Sequence, residues 1–229
     1  MHLGCREYLT VAKKHRMLRH MAAYEQANGS EHFSIAYDAA QLSALAETYA
    51  AHRFVALPNL LTPEQAGTLL IATGGAPARR VRCGIEHVTW EEQNFEPGHP
   101  AYDFFEQQST IGLTRTVTGL GELAGLMCWT SVYGLGEYID PHKDRSGSAQ
   151  LLVCLQAPPT PAHGGELVVD STRLFLYPGD AVVFEATTVE HYTTPLTATS
   201  DAPSPRRTVL VGRYFLETAL PSPFLLGHE

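Results

Sequence analysis

From Leu126 onward, apolar residues come in short runs, at about 127–133, 150–156, 165–170, 173–177, 181–184 and 208–215, separated by Gly, Pro, Ser and Asp. Runs of this length, rich in Val, Leu, Tyr and Phe and bounded by turn residues, predict β-strands. Their regular succession, without intervening helical patterns, predicts an all-β sandwich or barrel core. The chain before this core is patterned differently. Asp38 caps a helix whose apolar residues Leu42, Leu45 and Tyr49 recur at helical spacing. After a short strand within 53–61, Thr62-Pro63-Glu64-Gln65 supplies an N-cap, a first-turn proline and a capping-box partner for a helix over 63–73, which Gly74-Gly75-Ala76-Pro77 stops. Residues 79–89 alternate, with Val81, Cys83 and Ile85 on one face and Arg80, Arg82 and Glu86 near the other, and predict a further strand. Between Trp90 and Gly112, prolines and polar residues mix with aromatics, which predicts a long loop or lid with one helical segment near 102–108. The fold class expected is therefore mainly β with flanking N-terminal helices. The whole of 1–229 is expected to form one domain, with 1–30 a helical or partly ordered extension carrying scattered basic residues.

Charge and cysteine usage narrow the setting. Sixteen basic residues face twenty-four acidic ones, a net charge of −8, and the basic residues form no long stripe. A nucleic-acid partner is not expected on that balance. The cysteines Cys5, Cys83, Cys128 and Cys154 show no C-x-x-C spacing, and two of them sit in apolar strand-like runs, as free thiols in a reduced, cytoplasmic protein do. No apolar stretch approaches 18 residues, and the first twenty residues lack a signal-peptide pattern, so neither a membrane association nor export is expected. Oligomeric state leaves no trace in the sequence.

Candidate chemistry concentrates in WTSVYGLGEYIDPHKD, residues 129–144. On an extended strand the side chains of His142 and Asp144 leave from the same face and converge, while Lys143 points away. A third ligand, His191, follows the strand-like run ending at Phe184. Two imidazoles and one carboxylate, with the remaining positions open, form the facial set used by non-heme Fe(II) oxygenases, whereas a cysteine-rich set would suit zinc.

Around these residues a longer pattern appears: Tyr133-x-x-Gly136, Pro141-His142-x-Asp144, Gly164-Gly165-Glu166, Pro178-Gly179-Asp180 leading to Phe184, and His191 with Pro195. This pattern resembles the prolyl-4-hydroxylase-like branch of the 2-oxoglutarate/Fe(II) dioxygenases over about the C-terminal half of the chain. The resemblance implies a double-stranded β-helix, or jelly-roll, core. It implies Fe(II) held by His142, Asp144 and His191, with 2-oxoglutarate and dioxygen as cosubstrates. The far carboxylate of 2-oxoglutarate calls for a guanidinium in a dry barrel. The resemblance favours Arg206, paired with Thr208 in an Arg-x-Thr pattern, with the adjacent Arg207 as the rival that would point the other way. Tyr133 is expected to hydrogen-bond the cosubstrate. For substrate, Arg145 on the rim, Arg80 and Arg82 on a barrel wall and Trp129 are the candidates. The expected reaction is hydroxylation of an unactivated C–H bond of a small polar metabolite. A peptide or protein side chain is the alternative substrate, and a non-catalytic jelly-roll ligand-binding module is the alternative of another class.

Overall fold

The computed structural model describes residues 33, 35, 37–75, 78–82, 89–200 and 204–216, so the expected N-terminal extension and the sites of Cys5 and Cys83 lie outside the described residues. Two helices come first where the caps place them. In α1 (Ala39–His52), Asp38 accepts from the Gln41 amide and the Gln41 side chain accepts in return from the Asp38 amide, each at 2.8 Å. In α2 (Pro63–Thr73), Thr62 and Gln65 form the same reciprocal pair, with proline in the first turn, where its missing N–H costs nothing. Strand β1 (Phe54–Leu57) lies between them.

The stretch 90–112 departs from the expected loop. It contains β3 (Thr89–Phe95), which pairs β2 (Arg79–Arg82) on one side, followed by α3 (Pro100–Glu106) and α4 (Gln108–Thr118). Pro100 occupies the first turn of α3 behind a His99 cap, and the aromatics Phe104 and Phe105 are fully buried instead of lining a mobile lid. The threonines of α4 return their hydroxyls to the carbonyl four residues back, Thr114 to Thr110 and Thr118 to Thr114. Those bonds accommodate β-branched residues in a helix at some cost in helix propensity. The strand expected over 79–89 is described only at its two ends, as β2 and the first residue of β3.

Eight further strands follow: β4 (Leu123–Tyr133), β5 (Ile139–His142), β6 (Ala149–Gln156), β7 (Leu167–Val169), β8 (Thr172–Leu174), β9 (Ala181–Phe184), β10 (His191–Thr193) and β11 (Arg207–Leu216). Among the described residues they form a seven-stranded sheet in the order β1-β9-β6-β11-β4-β3-β2 and a four-stranded sheet in the order β5-β10-β7-β8, with every pairing antiparallel. The larger sheet has two covered faces. Strand β11 lies between β4 and β6. Its Leu210 and Tyr214 join the cluster that packs on the helices, and its Val209 and Val211 join a second cluster with Tyr133, Leu152, Leu167, Val169 and Phe184 from both sheets. Side chains alternate along a strand, so Arg207 and Arg213 fall on the same inward face as Val209 and Val211. That face carries the site.

Candidate active site

His142 ends β5 and His191 begins β10, and the two residues are direct cross-strand partners. Their rings lie 4.3 Å apart between centroids. Asp144 sits two residues beyond the end of β5, and its amide is fixed to the Ala186 carbonyl at 2.8 Å. Ligand atoms of His142, Asp144 and His191 all lie within 4.8 Å of one another. The ring nitrogens have already divided their tasks. Nδ1 of His142 bonds the Asp140 carbonyl at 2.7 Å and Nδ1 of His191 bonds the Val189 carbonyl at 3.1 Å. A carbonyl accepts only, so Nδ1 carries the proton in each ring and Nε2 keeps a lone pair for a ligand. Burial pushes the His191 imidazole down to about 4, with neighbouring His142 acting in the same direction and Asp144 opposing, which keeps it neutral and able to donate that lone pair at neutral pH. Asp144 Oδ2 is buried without a hydrogen-bond donor aligned on it. Two free imidazole lone pairs and a carboxylate oxygen suit Fe(II).

A second feature lies one pleat along β10. Thr193 follows His191 by two residues on the same strand face, about 7 Å away. Its hydroxyl accepts from Arg207 Nη1 at 3.4 Å. Arg207 is 2% exposed, its guanidinium lies 5.6 Å over the Tyr133 ring, and its Nη2 has no hydrogen-bond partner. Burial lowers the pKa of Arg207, opposed by Tyr133 and Cys154, and burial raises that of Tyr133, which pairs with Arg207 in register across β4 and β11. An unsatisfied guanidinium in an apolar barrel is a fit for a carboxylate. Gly165, at φ +73°, makes room for it: a Cβ there would stand 3.3 Å from Arg207 Cδ and 2.8 Å from Leu196 Cδ2.

The chain matches no family model and no curated protein sequence. Solved structures do resemble it. A Pseudomonas putida prolyl-4-hydroxylase aligns at 21% identity over 76% of this chain and 97% of its own, with a TM-score of 0.61. An oxidoreductase of the 2OG-Fe(II) oxygenase family from Burkholderia pseudomallei aligns at 14% identity over 81% and 95%, with a TM-score of 0.62. The fold is that of the 2-oxoglutarate/Fe(II) oxygenases. The epimerase SnoN from nogalamycin biosynthesis, an alpha-ketoglutarate-dependent non-heme enzyme, shares this oxygenase fold at 15% identity and a TM-score of 0.57, over 77% of this chain and 84% of its own.

Within the oxygenase fold the other expected residues separate. Arg206, favoured from the sequence as the 2-oxoglutarate anchor, points out of the barrel. Its side chain is 56% exposed and lies 3.6 Å from Glu91, so the inward arginine is Arg207. Thr208 shares the outward phase of Arg206 and donates to Gln156 Oε1 at 3.2 Å, away from Arg207. Arg80 is exposed and committed to ion pairs with Glu137 at 2.5 Å and Glu91 at 3.1 Å. Arg82 pairs through its backbone with Thr89, and its side chain lies outside the description. Arg145 is exposed immediately after Asp144 and has no ion-pair partner among the described residues. Trp129 is half-buried beneath the guanidinium of Arg213, 5.0 Å from its ring centroid, and so belongs to the barrel wall. Arg213 itself escapes a sequence reading. Its one signal is a second cation six residues after Arg207, on the same face of an otherwise apolar strand.

Proposed function

We propose that this chain is an Fe(II)- and 2-oxoglutarate-dependent hydroxylase of a small polar metabolite that carries a carboxylate or phosphate. The observation that carries the proposal is the His142, Asp144 and His191 cluster together with a buried Arg207, on the inward face of β11, whose Nη2 has no hydrogen-bond partner. In this reading His142 and His191 donate through Nε2, held in orientation by the Asp140 and Val189 carbonyls, and Asp144 supplies the carboxylate. Arg207 takes the far carboxylate of 2-oxoglutarate, with Tyr133 and Thr193 beside it. When bound, the iron and 2-oxoglutarate supply the oxidising power, drawn from dioxygen with loss of carbon dioxide, that hydroxylates an unactivated C–H bond. Phe184, Leu152 and Val211 wall the barrel with apolar surface and keep bulk water from the reacting groups. Arg145, exposed on the rim and free of a carboxylate partner among the described residues, favours an anionic substrate.

The test is succinate release under air from iron-loaded protein given 2-oxoglutarate, with small anionic metabolites and proline-containing peptides as separate substrate panels. A metabolite that stimulates release and gains one oxygen supports the reading, and Asp144→Ala abolishes the stimulation. Stimulation by peptides alone transfers the activity to a peptide side chain. Absence of any iron-dependent succinate in folded protein favours the non-catalytic binding module.

A further inference from the structure

On the inward face of β11, Arg213 is 7% exposed, and its guanidinium meets Asp144, Gln150 and Trp129. Nη2 stands 2.6 Å from Asp144 Oδ2, a charge contact without hydrogen-bond alignment. Nε donates to Gln150 Oε1 at 2.9 Å, and the flat face rests on Trp129. The aliphatic stem packs on Gly147, at φ +103°, where a Cβ would approach Arg213 Cγ to 2.7 Å and Cδ to 2.8 Å. Asp144 lies beyond the end of β5, its amide tied to the carbonyl of Ala186, two residues past the end of β9, and besides Arg213 its carboxylate has His191 Nε2 within 3.6 Å of Oδ2.

We propose that Arg213 is a positioning residue for the metal site: it fixes the Asp144 carboxylate in one orientation, hinders chelation through both oxygens, and withdraws negative charge from the ligand. The proposal rests on the reading of His142, Asp144 and His191 as metal ligands. Burying this cation beside a carboxylate is costly, and a positioning role accounts for its retention among apolar neighbours. Two consequences follow from the chemistry. Loss of the guanidinium leaves a more electron-donating ligand on the metal, which favours binding, but it frees the carboxylate to rotate out of the ligand position, and that loss of positioning is the larger effect.

The experiment titrates metal-free wild type, Arg213→Gln, Arg213→Lys and Gly147→Ala with Co(II) alone, reading visible ligand-field absorption, with melting of the metal-free proteins as the check on folding. Arg213→Gln is expected to lower Co(II) affinity by about 10- to 100-fold and to change the absorption envelope, since loss of a group behind a metal ligand has effects of this size. Arg213→Lys restores part of the affinity. Gly147→Ala, which displaces the Arg213 stem while leaving every charge in place, shifts affinity and spectrum in the direction of Arg213→Gln. Unchanged affinity and spectrum in folded Arg213→Gln overturn the proposal, and if that variant does not fold, unchanged values in both Arg213→Lys and Gly147→Ala overturn it equally. Failure of wild type to bind Co(II) at all instead defeats the underlying assignment of the metal ligands.

Discussion

Arg207→Met separates the proposed cosubstrate anchor from a merely structural arginine, because the two roles predict opposite signs. Arg207 is 2% exposed, meets one hydroxyl at 3.4 Å, and has no carboxylate within ion-pair distance among the described residues. A buried charge without a counter-ion destabilises a folded protein by several kcal/mol, and exchange of buried charge for apolar volume often stabilises by about 1–4 kcal/mol. Methionine keeps much of the length and removes the charge, so the metal-free variant is expected to melt higher than wild type. The same change removes the partner of the far carboxylate of 2-oxoglutarate, a loss of about 2–5 kcal/mol, or roughly 30- to 4,000-fold in affinity. Arg206→Met, which removes only an exposed contact 3.6 Å from Glu91, changes stability by about 0–1 kcal/mol and leaves 2-oxoglutarate affinity within a few-fold of wild type. Thermal melts of metal-free protein and anaerobic 2-oxoglutarate titrations of Fe(II)-loaded protein give both quantities. An Arg207→Met that melts lower and binds 2-oxoglutarate normally would mark Arg207 as merely structural, and a loss of affinity that follows Arg206 would move the anchor there.

Two further outcomes follow. Gly165→Ala is expected to cost about 1–3 kcal/mol of stability through its positive φ and to weaken 2-oxoglutarate binding, because the new methyl crowds Leu196 and Arg207; normal affinity in the folded variant contradicts the pocket described above. His191 titrates in the folded protein at about 4, below its ordinary value near 6.5, so above pH 6.5 both states are neutral there and His191 contributes no pH dependence. As pH falls from about 6.5 toward 4, the unfolded chain takes up a proton that folded His191 refuses, and metal-free protein loses about 1 kcal/mol per pH unit from this group. Melting curves of wild type against His191→Phe over that window check it, and parallel slopes for the two proteins contradict it.

Local chemistry made some of this structure legible and non-local pairing hid the rest. The Asp38/Gln41 and Thr62/Gln65 caps act within four residues, and the helices begin where those residues stand. His142 and Asp144 are two positions apart, and their convergence needs only an extended backbone. His191 is forty-nine residues from His142 in sequence and meets it through the β5–β10 pairing, which only the longer motif pattern anticipated. The choice between Arg206 and Arg207 turns on the phase of β11. That strand is buried on both faces, so its apolar residues run continuously, RTVLVGRYFL, and offer no alternation from which to read the phase. The same burial concealed Arg213. In 90–112, prolines and polar residues mixed with aromatics suggest a loop, yet Pro100 sits where a helix tolerates it, and the buried Phe104 and Phe105 anchor the segment by tertiary contacts.

In the proposed site, His142, Asp144 and His191 hold Fe(II) beside a 2-oxoglutarate pocket closed by Arg207. The most direct measurement is the visible absorption of Fe(II)-loaded protein titrated with 2-oxoglutarate in the absence of dioxygen. A metal-to-ligand charge-transfer band that saturates with 2-oxoglutarate in wild type, disappears in His191→Ala and requires far more 2-oxoglutarate in Arg207→Met is the predicted result. Folded, iron-replete wild type that shows no band, or a His191→Ala variant that keeps it, contradicts the account.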